Sequence, residues 1–196
     1  MSEVLVLYYS RHGHVAAMAQ LIAKGAAQTS DCQVTVRTVP ELDADPDAVP
    51  DEGHLYCTKD DLRRCDGLAL GSPTRFGNMA APMKAFLDQT SDVWISGSMI
   101  DKPGCVFTAS SSMHGGQEST LLTMMLPLLH HGMVIAGLPY SETALMDTES
   151  GGTPYGASIV SGPRNDRTMS EEESTLCIAL GRRLAMLSSK LSKQNS

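Results

Sequence analysis

The sequence has few basic residues and no basic cluster. Fifteen lysines and arginines stand against 22 aspartates and glutamates, which gives a formal net charge of -7. The only adjacent basic pairs are Arg63-Arg64 and Arg182-Arg183. A protein that binds nucleic acid regardless of its sequence needs a basic patch for the phosphates. The charge therefore argues against a nucleic-acid partner.

Long apolar runs and paired cysteines are also missing. No run approaches the roughly 20 residues of a membrane-spanning helix, and the N-terminus lacks the pattern of a signal peptide. The five cysteines are an odd number and show neither a C-x-x-C motif nor the spacing of a zinc site. We therefore expect a cytoplasmic protein with unpaired thiols, no metal and no integral membrane segment.

What the sequence does contain is an alternation of short strands and helices. With 196 residues, 42% of them hydrophobic, the chain predicts one domain spanning residues 1–196. Apolar strand patterns occur at 4–9, 33–39, 67–71, 103–108 and 133–136, helical patterns lie between them, and a last helix begins near Ser170. An acidic stretch at 41–57 reads as a long surface loop. The pattern predicts an α/β fold with an open, twisted, five-stranded parallel sheet and helices on both faces, a three-layer α/β/α arrangement.

Ligands of such sheets bind outside the carboxyl ends of the strands, so the loops after the first, third and fourth strands matter most. The first loop, residues 10–15, reads S-R-H-G-H-V and leads directly into a helix. Free amides and the dipole at a helix N-terminus favour a phosphate. The segment matches neither the phosphate-loop motif nor the dinucleotide fingerprint, and helix capping alone would also account for its serine and glycine.

The other two loops differ in character. Residues 73–78 combine a proline, a hydroxyl, a cation, an aromatic ring and a glycine, whereas residues 109–117 are small and polar. Three such loops at one sheet edge suit a planar cofactor that carries a phosphate: one loop binds the phosphate and two bracket the ring.

Four stretches resemble the WrbA family, the flavodoxin-like NAD(P)H:quinone oxidoreductases. They are VLVLYYSRHGHVAAMA, GSPTRFGNMAAPMKAFLDQT, LHHGM and GGTPYGAS, and they cover nearly the whole chain. The resemblance implies the flavodoxin strand order, FMN as cofactor, NADH or NADPH as co-substrate, a quinone as substrate and a homotetramer. In the implied reaction NAD(P)H gives a hydride to flavin N5, and the quinone is then reduced by two electrons to a hydroquinone.

The resemblance also implies the site residues. The phosphate of FMN is expected on Ser10, Arg11, His12, Gly13, His14 and Val15. The ring and ribityl chain are expected against Pro73, Thr74, Arg75, Phe76 and Gly77 on one side, and against Ser110, Ser111, Ser112, Met113, His114 and Gly115 on the other. His130 aligns with the family's flavin-site histidine and Trp94 with an aromatic residue of the quinone and nicotinamide pocket, so Arg75, His130 and Trp94 are the candidate catalytic residues. The family often has an aromatic residue where this chain has His12.

Several alternatives remain open at this point. His130 and His131 end an apolar helix, where a histidine commonly interacts with the last carbonyls. Trp94 would also fit a core or a subunit contact. Tyr140 and Tyr155 are predicted to serve an intersubunit or active-site role, because they lie in a long segment before the final helix. As a whole, the protein could instead be a one-electron flavodoxin carrier or a regulatory flavoprotein without significant turnover.

Overall fold

The structure, a computed structural model, describes residues 1–45, 49–50 and 53–192. The strands are β1 (Ser2–Tyr8), β2 (Cys32–Thr38), β3 (Gly67–Arg75), β4 (Asn78–Met79), β5 (Pro103–Ser110), β6 (Val134–Ile135) and β7 (Ala157–Val160). The helices are α1 (His14–Ala26), α2 (Lys59–Arg64), α3 (Ala81–Asp88), α4 (Ser91–Ile95), α5 (Gln117–His130), α6 (Ala144–Asp147) and α7 (Glu171–Ser192). Part of the predicted surface loop at 41–57, namely 46–48 and 51–52, lies outside the described residues.

The strands form a parallel sheet in the order β2-β1-β3-β5-β6, with β7 pairing the end of β5. Every pairing except that of β4 with β3 is parallel. The predicted fold class and the flavodoxin strand order are thereby confirmed.

The continuous apolar run of β1 is explained by burial on both faces. Val4 and Val6 point into one core, which α1 and α7 cover, while Leu5 and Leu7 point into a second core on the side of α3 and α5. All four side chains are fully buried. The sheet is thus the middle of three layers.

Two glycines set the distance between α1 and α7. A Cβ on Gly181 would lie 1.9 Å from the carbonyl oxygen of Ile22, and one on Gly25 would lie 2.0 Å from that of Ile178. Side chains at these positions would force the helices apart. This close contact fixes α1, and with it the N-terminus of α1 at the carboxyl edge of the sheet.

Two segments that were predicted to be loops contain strands. Residues 73–78 were predicted as a loop, but β3 continues to Arg75 and turns back through β4, pairing Thr74 with Met79. The two turn residues, Phe76 and Gly77, have φ angles of 53° and 76°, as a tight two-residue hairpin requires. The prediction failed because proline and glycine in a short segment also suit an irregular loop.

The second missed strand is β7, in the segment that was predicted to be irregular between the fifth strand and the last helix. The predicted strand at 133–136 is only two residues long, because β6 pairs only with Pro103 and Gly104. The chain then continues through α6, and β7 pairs with residues 107–110 of β5. The sequence A-S-I-V is too short and too small for its pattern to be distinctive.

Across the described ranges, no helix is long and apolar enough to cross a membrane.

Candidate functional site

A cavity of about 270 Å³ opens at the carboxyl edge of the sheet. It lies over the ends of β1, β3, β5 and β7, as expected for a ligand site of a parallel α/β sheet. Its walls come from four segments of the chain. The lining residues are Ser10, Arg11, His12, His14, Val15, Pro73, Thr74, Arg75, Ala109, Ser110, Ser111, Ser161 and Asn165.

The N-terminus of α1 faces this cavity without a cap. Its N-cap residue, Gly13, has a φ of 83°, and no side chain caps the helix. By contrast, α2 has a complete capping box between Thr58 and Asp61. The first-turn amides of α1 have no intrahelical acceptor, and nothing lies within 4 Å of where a Cβ on Gly13 would be. These amides are therefore available to an anion.

The hydroxyl of Ser10 is a second sign of a binding site. Its Oγ is buried and has no hydrogen-bond partner among the described residues. Buried polar groups are almost always paired, so an orphan in a cavity wall indicates an acceptor or donor supplied from outside the chain.

The cavity is electropositive although the protein is acidic overall. Two arginines and two histidines line it, and none of the lining residues is a carboxylate. At the rim, Oε1 of Glu41 lies 3.9 Å from Arg11. An anionic ligand is favoured here because little negative charge opposes it.

The hairpin of β3 and β4 forms the second wall. Thr120 of α5 donates a hydrogen bond of 2.8 Å to the hydroxyl of Thr74, and Arg75 donates one of 2.8 Å to the Thr74 carbonyl. Phe76, at the tip, is fully exposed and has a positive φ, which is strained for a bulky residue. Strain of this kind occurs more often at functional sites.

The third predicted loop contributes only its beginning. Ser110 and Ser111 line the cavity, whereas residues 112–115 form a turn that leads into α5. The hydroxyl of Ser110 donates to the carbonyl of Ser112 at 2.7 Å, and Gln117 donates to the carbonyl of Met113 at 3.1 Å. His114 and Gly115 take no part in the cavity wall in this arrangement.

A wider trough of about 870 Å³ continues from the cavity across the hairpin. Arg11 and Arg75 line both spaces, and Phe76 borders the trough. Tyr9 donates its hydroxyl to both oxygens of Glu41, at 2.9 and 3.0 Å. Burial and this contact raise the pKa of Tyr9. A ligand larger than the cavity has room to extend here.

His130 and Trp94 lie in a different place. They line a separate pocket of about 450 Å³ between α3, α4 and the end of α5. Because α5 starts at the cavity edge and has 14 residues, His130 lies about 20 Å further along the helix. Within one chain, the structure does not bring these two residues to the cavity.

His131, the neighbour of His130, is partly buried and hydrogen-bonded. Thr90 and His131 share a 3.0 Å hydrogen bond at Nε2, while Nδ1 of His131 is buried and without a partner among the described residues. Burial, and to a smaller extent His130, lower the pKa of His131. Its imidazole is therefore neutral at pH 7.

Sequence reasoning missed Ser161 and Asn165. Both follow β7, and the rule that ligands bind beyond the carboxyl ends of strands would have found them if β7 had been recognised. The two tyrosines predicted from the same long segment, Tyr140 and Tyr155, are exposed by 60% and 43% of their surface and do not line the cavity.

Neither a metal nor a reactive thiol is indicated. No group of three or more histidine, cysteine or acidic side chains in the described part of the chain could hold a metal ion. Four cysteines are buried and only Cys32 is partly exposed. Burial raises the pKa of Cys65 to about 12, so its thiol is not ionised at neutral pH.

The cavity fits the phosphate end of FMN. Free amides of α1, the unpaired hydroxyl of Ser10 and the charge of Arg11 supply donors for a phosphate, and the hairpin and Ser110 form the adjoining walls. The open trough next to Arg75 offers further room for a planar group.

Comparisons with known proteins point in the same direction. Residues 3–143 match the model of a family described as NADPH-dependent FMN reductase. The chain is 43% identical to a NAD(P)H dehydrogenase (quinone) from Syntrophobacter fumaroxidans, over 97% of this chain and 99% of that protein. It is 44% identical to a protein of the same name from Geotalea daltonii, over 96% and 98%. Among solved structures, a WrbA-like flavodoxin from Agrobacterium tumefaciens matches with a TM-score of 0.69 at 24% identity, over 97% of this chain and 99% of that one.

Proposed function

Because the chain belongs to the NADPH-dependent FMN reductase family, we propose that it is an FMN-dependent NAD(P)H:quinone oxidoreductase. Relatives that match nearly its whole length are NAD(P)H dehydrogenases (quinone). They confirm the resemblance to the WrbA family that four sequence stretches indicated. We treat residues 1–196 as one catalytic domain, since both cores lie on the same sheet, and place it in the cytoplasm.

The observation that carries this proposal is the anion site at the carboxyl edge. In a protein with a net charge of -7, the cavity has two arginines, two histidines and no carboxylate in its walls. An uncapped helix N-terminus and an unpaired buried hydroxyl face the same space. Together these features favour a ligand with a phosphate group.

When bound, FMN supplies the redox chemistry: it accepts a hydride from NAD(P)H and passes two electrons to a quinone. The residues of the chain bind and orient. The amides of α1 with Ser10 and Arg11 hold the phosphate, while Thr74 and Ser110, at the ends of the adjacent strands β3 and β5, line the cavity beside it. Arg75 borders both the cavity and the trough, so its guanidinium is available to an anionic ring or to an oxygen of the electron acceptor.

The active form is proposed to be a homotetramer, in which another copy supplies His130 and Trp94 to the cavity. Their pocket lies about 20 Å along α5 from the cavity edge within one chain. Next to it, α5 exposes Leu122, Leu126 and Leu129 on one face, each with 45% or more of its surface accessible. Exposed apolar side chains on one helix face suit a contact between copies of the chain. Tyr140 and Tyr155 are further candidates for contacts between copies.

The first experiment is a visible spectrum of the purified protein with FMN, followed in the same cuvette by NADH and then benzoquinone. Bleaching of the flavin by NADH and its recolouring by benzoquinone would establish the oxidoreductase. Bound FMN that NADH does not reduce would indicate an electron carrier instead. A protein that binds no FMN would overturn the assignment of the cavity.

Two substitutions separate the roles of the two pockets. Arg75→Ala and His130→Ala are each expected to lower turnover of NADH with benzoquinone by at least about tenfold, whereas Arg182→Ala, on the exposed side of α7, is a control that leaves it unchanged. Leu126→Lys is expected to dissociate the tetramer in sedimentation analysis and to lower turnover as His130→Ala does. An active monomer would contradict the shared site.

A further inference from the structure

We propose that residues 161–165, which we name the β7 turn, form a fourth cofactor-binding segment, in which Asn165 binds the phosphate of FMN and the buried Glu173 fixes the position of the turn. The inference rests on the proposed function, because it names ligands of the same cofactor. Neither residue belongs to the three loops that the sequence assigned to the site.

The topology brings the β7 turn to the cavity. β7 runs parallel to the last four residues of β5, so both strands end at the same edge of the sheet. Immediately beyond this pairing, the amide of Ser161 donates a 2.8 Å hydrogen bond to the carbonyl of Ser110. Ser161 and Asn165 consequently line the cavity.

Hydrogen bonds orient the side chain of Asn165. The buried hydroxyl of Ser161 lies 3.1 Å from the carbonyl oxygen of Ser110 and 3.0 Å from Oδ1 of Asn165. Oδ1 faces this hydroxyl, whose single proton is shared between the two oxygens, so the two N–H groups of Nδ2 remain as donors, and they form no hydrogen bond to a described residue. A phosphate oxygen is a suitable acceptor for these donors.

The backbone of the same residue is joined to the phosphate-binding helix. Nε2 of His14 donates to the carbonyl oxygen of Asn165 at 3.1 Å, and His14 is the first residue of α1. Asn165 also has a φ of 55°, a left-handed conformation that asparagine adopts more readily than most residues. Asparagine is therefore suited to this position by both its backbone and its side chain.

Glu173 forms hydrogen bonds to the backbone on both sides of the β7 turn. Its side chain is fully buried, and Oε1 accepts hydrogen bonds from the amides of Gly151 and Val160, at 2.8 and 2.9 Å. Oε2 accepts from the amide of Ser170 at 2.8 Å. Val160 precedes the β7 turn and Ser170 follows it, so one carboxylate determines where the turn begins and where its chain rejoins α7.

The backbone of Gly151 packs closely against the carboxylate of Glu173. A Cβ on Gly151 would lie 2.7 Å from Oε1 of Glu173 and 2.2 Å from the carbonyl oxygen of Ser158. Only glycine lets the backbone approach the carboxylate this closely. Glu173 thus acts as a positioning residue, whereas Asn165 contacts the ligand.

The test compares FMN with riboflavin, which lacks the phosphate, by quenching of flavin fluorescence. Asn165→Asp keeps the size and the tolerance of a positive φ, but replaces the two donors with a negative charge. We expect this variant to raise the Kd for FMN by at least about tenfold and to leave the Kd for riboflavin unchanged. Asn165→Gly, which keeps the backbone conformation, is expected to give a smaller rise for FMN alone.

Glu173→Gln tests the positioning role, with the exposed Glu171→Gln as the matched control on the same helix. Glutamine loses one of the acceptors, so the turn is held less firmly and the Kd for FMN is expected to rise at least about threefold. In the Asn165→Gly background the same substitution is expected to have no further effect on FMN. Purely structural damage would instead weaken FMN and riboflavin together in both backgrounds.

The outcomes separate this inference from the function on which it rests. If the unaltered protein binds FMN and Asn165→Asp has the same ratio of FMN to riboflavin affinity, the β7 turn is no phosphate ligand although the proposed function stands. If the unaltered protein binds no FMN, both are overturned.

Discussion

The hydroxyl of Ser10 gives a prediction in which stability and cofactor affinity change in opposite directions. Its Oγ is buried and has no partner within the described residues, and such a group costs a folded protein about 1–3 kcal/mol. Ser10→Ala removes only this oxygen. Because the cavity is open to solvent, we expect the lower end of the range, a rise in the free energy of unfolding of the FMN-free protein by about 1 kcal/mol.

The same substitution should weaken FMN binding. A hydrogen bond to a charged group contributes about 1.5–3 kcal/mol, which corresponds to a rise in Kd of roughly 10- to 150-fold. Riboflavin has no phosphate, so its Kd should not change.

The assays are urea unfolding of the FMN-free protein and fluorescence titration with each flavin. Thr29→Val is the matched control, because Oγ1 of Thr29 is also buried and unpaired in the described structure but lies beyond the other end of α1. It should stabilise the protein and leave both affinities unchanged. A Ser10→Ala variant that is less stable than the unaltered protein, or that binds FMN within twofold of it, would refute the reasoning.

Three further predictions concern packing, pH and thiols. Gly181→Ala should lower the free energy of unfolding by about 2 kcal/mol in urea titrations, because its Cβ would lie 1.9 Å from the carbonyl oxygen of Ile22. Helix propensity alone would raise the free energy of unfolding, and such a rise would contradict the close contact. Burial lowers the pKa of His131 below its usual value, so the unfolded chain binds the proton more readily than the folded one. The free energy of unfolding should therefore have its full value above about pH 6.5 and decrease as the pH falls below it. In His131→Gln this decrease should be smaller. With a thiol reagent at pH 7.5, only Cys32 should react in the folded protein, and the buried thiols such as Cys65 should react only after unfolding; fast labelling of more than one thiol would show that the core opens.

Strand and helix patterns in the sequence were enough to predict the layers of the fold. The run around Leu5 and Leu7 is apolar without interruption because both faces of β1 are buried. Such a run can be recognised in the amino-acid sequence alone. The loop after β1 was predictable in part: its serine and glycine between a buried strand and a helix suited either a phosphate site or helix capping, and the structure shows that no side chain caps α1. The residues of the first loop, the beginning of the hairpin and Ser110 could therefore be predicted as neighbours in one site.

Other parts of the site depend on pairings that no local pattern records. β7 is four residues long, and what makes it a strand is the free edge at the end of β5, which only the folded sheet provides. The contribution of Ser161 and Asn165 follows from that pairing. The hairpin at Phe76 depends in the same way on the positive φ angles of two successive residues, one of which is not glycine.

The sequence by itself thus determined the fold class and the family, and it predicted that the loop after β1 faces the cavity, because periodic burial and short contiguous motifs are properties of neighbouring residues. Only the tertiary structure decided that His130 and Trp94 lie in a separate pocket, since the length of α5 separates residues that the family resemblance had grouped. It also decided that Glu173, 22 residues from Gly151 and 13 from Val160, holds both segments with one buried carboxylate. Contacts between distant segments arise from packing in three dimensions, and a linear pattern does not contain them.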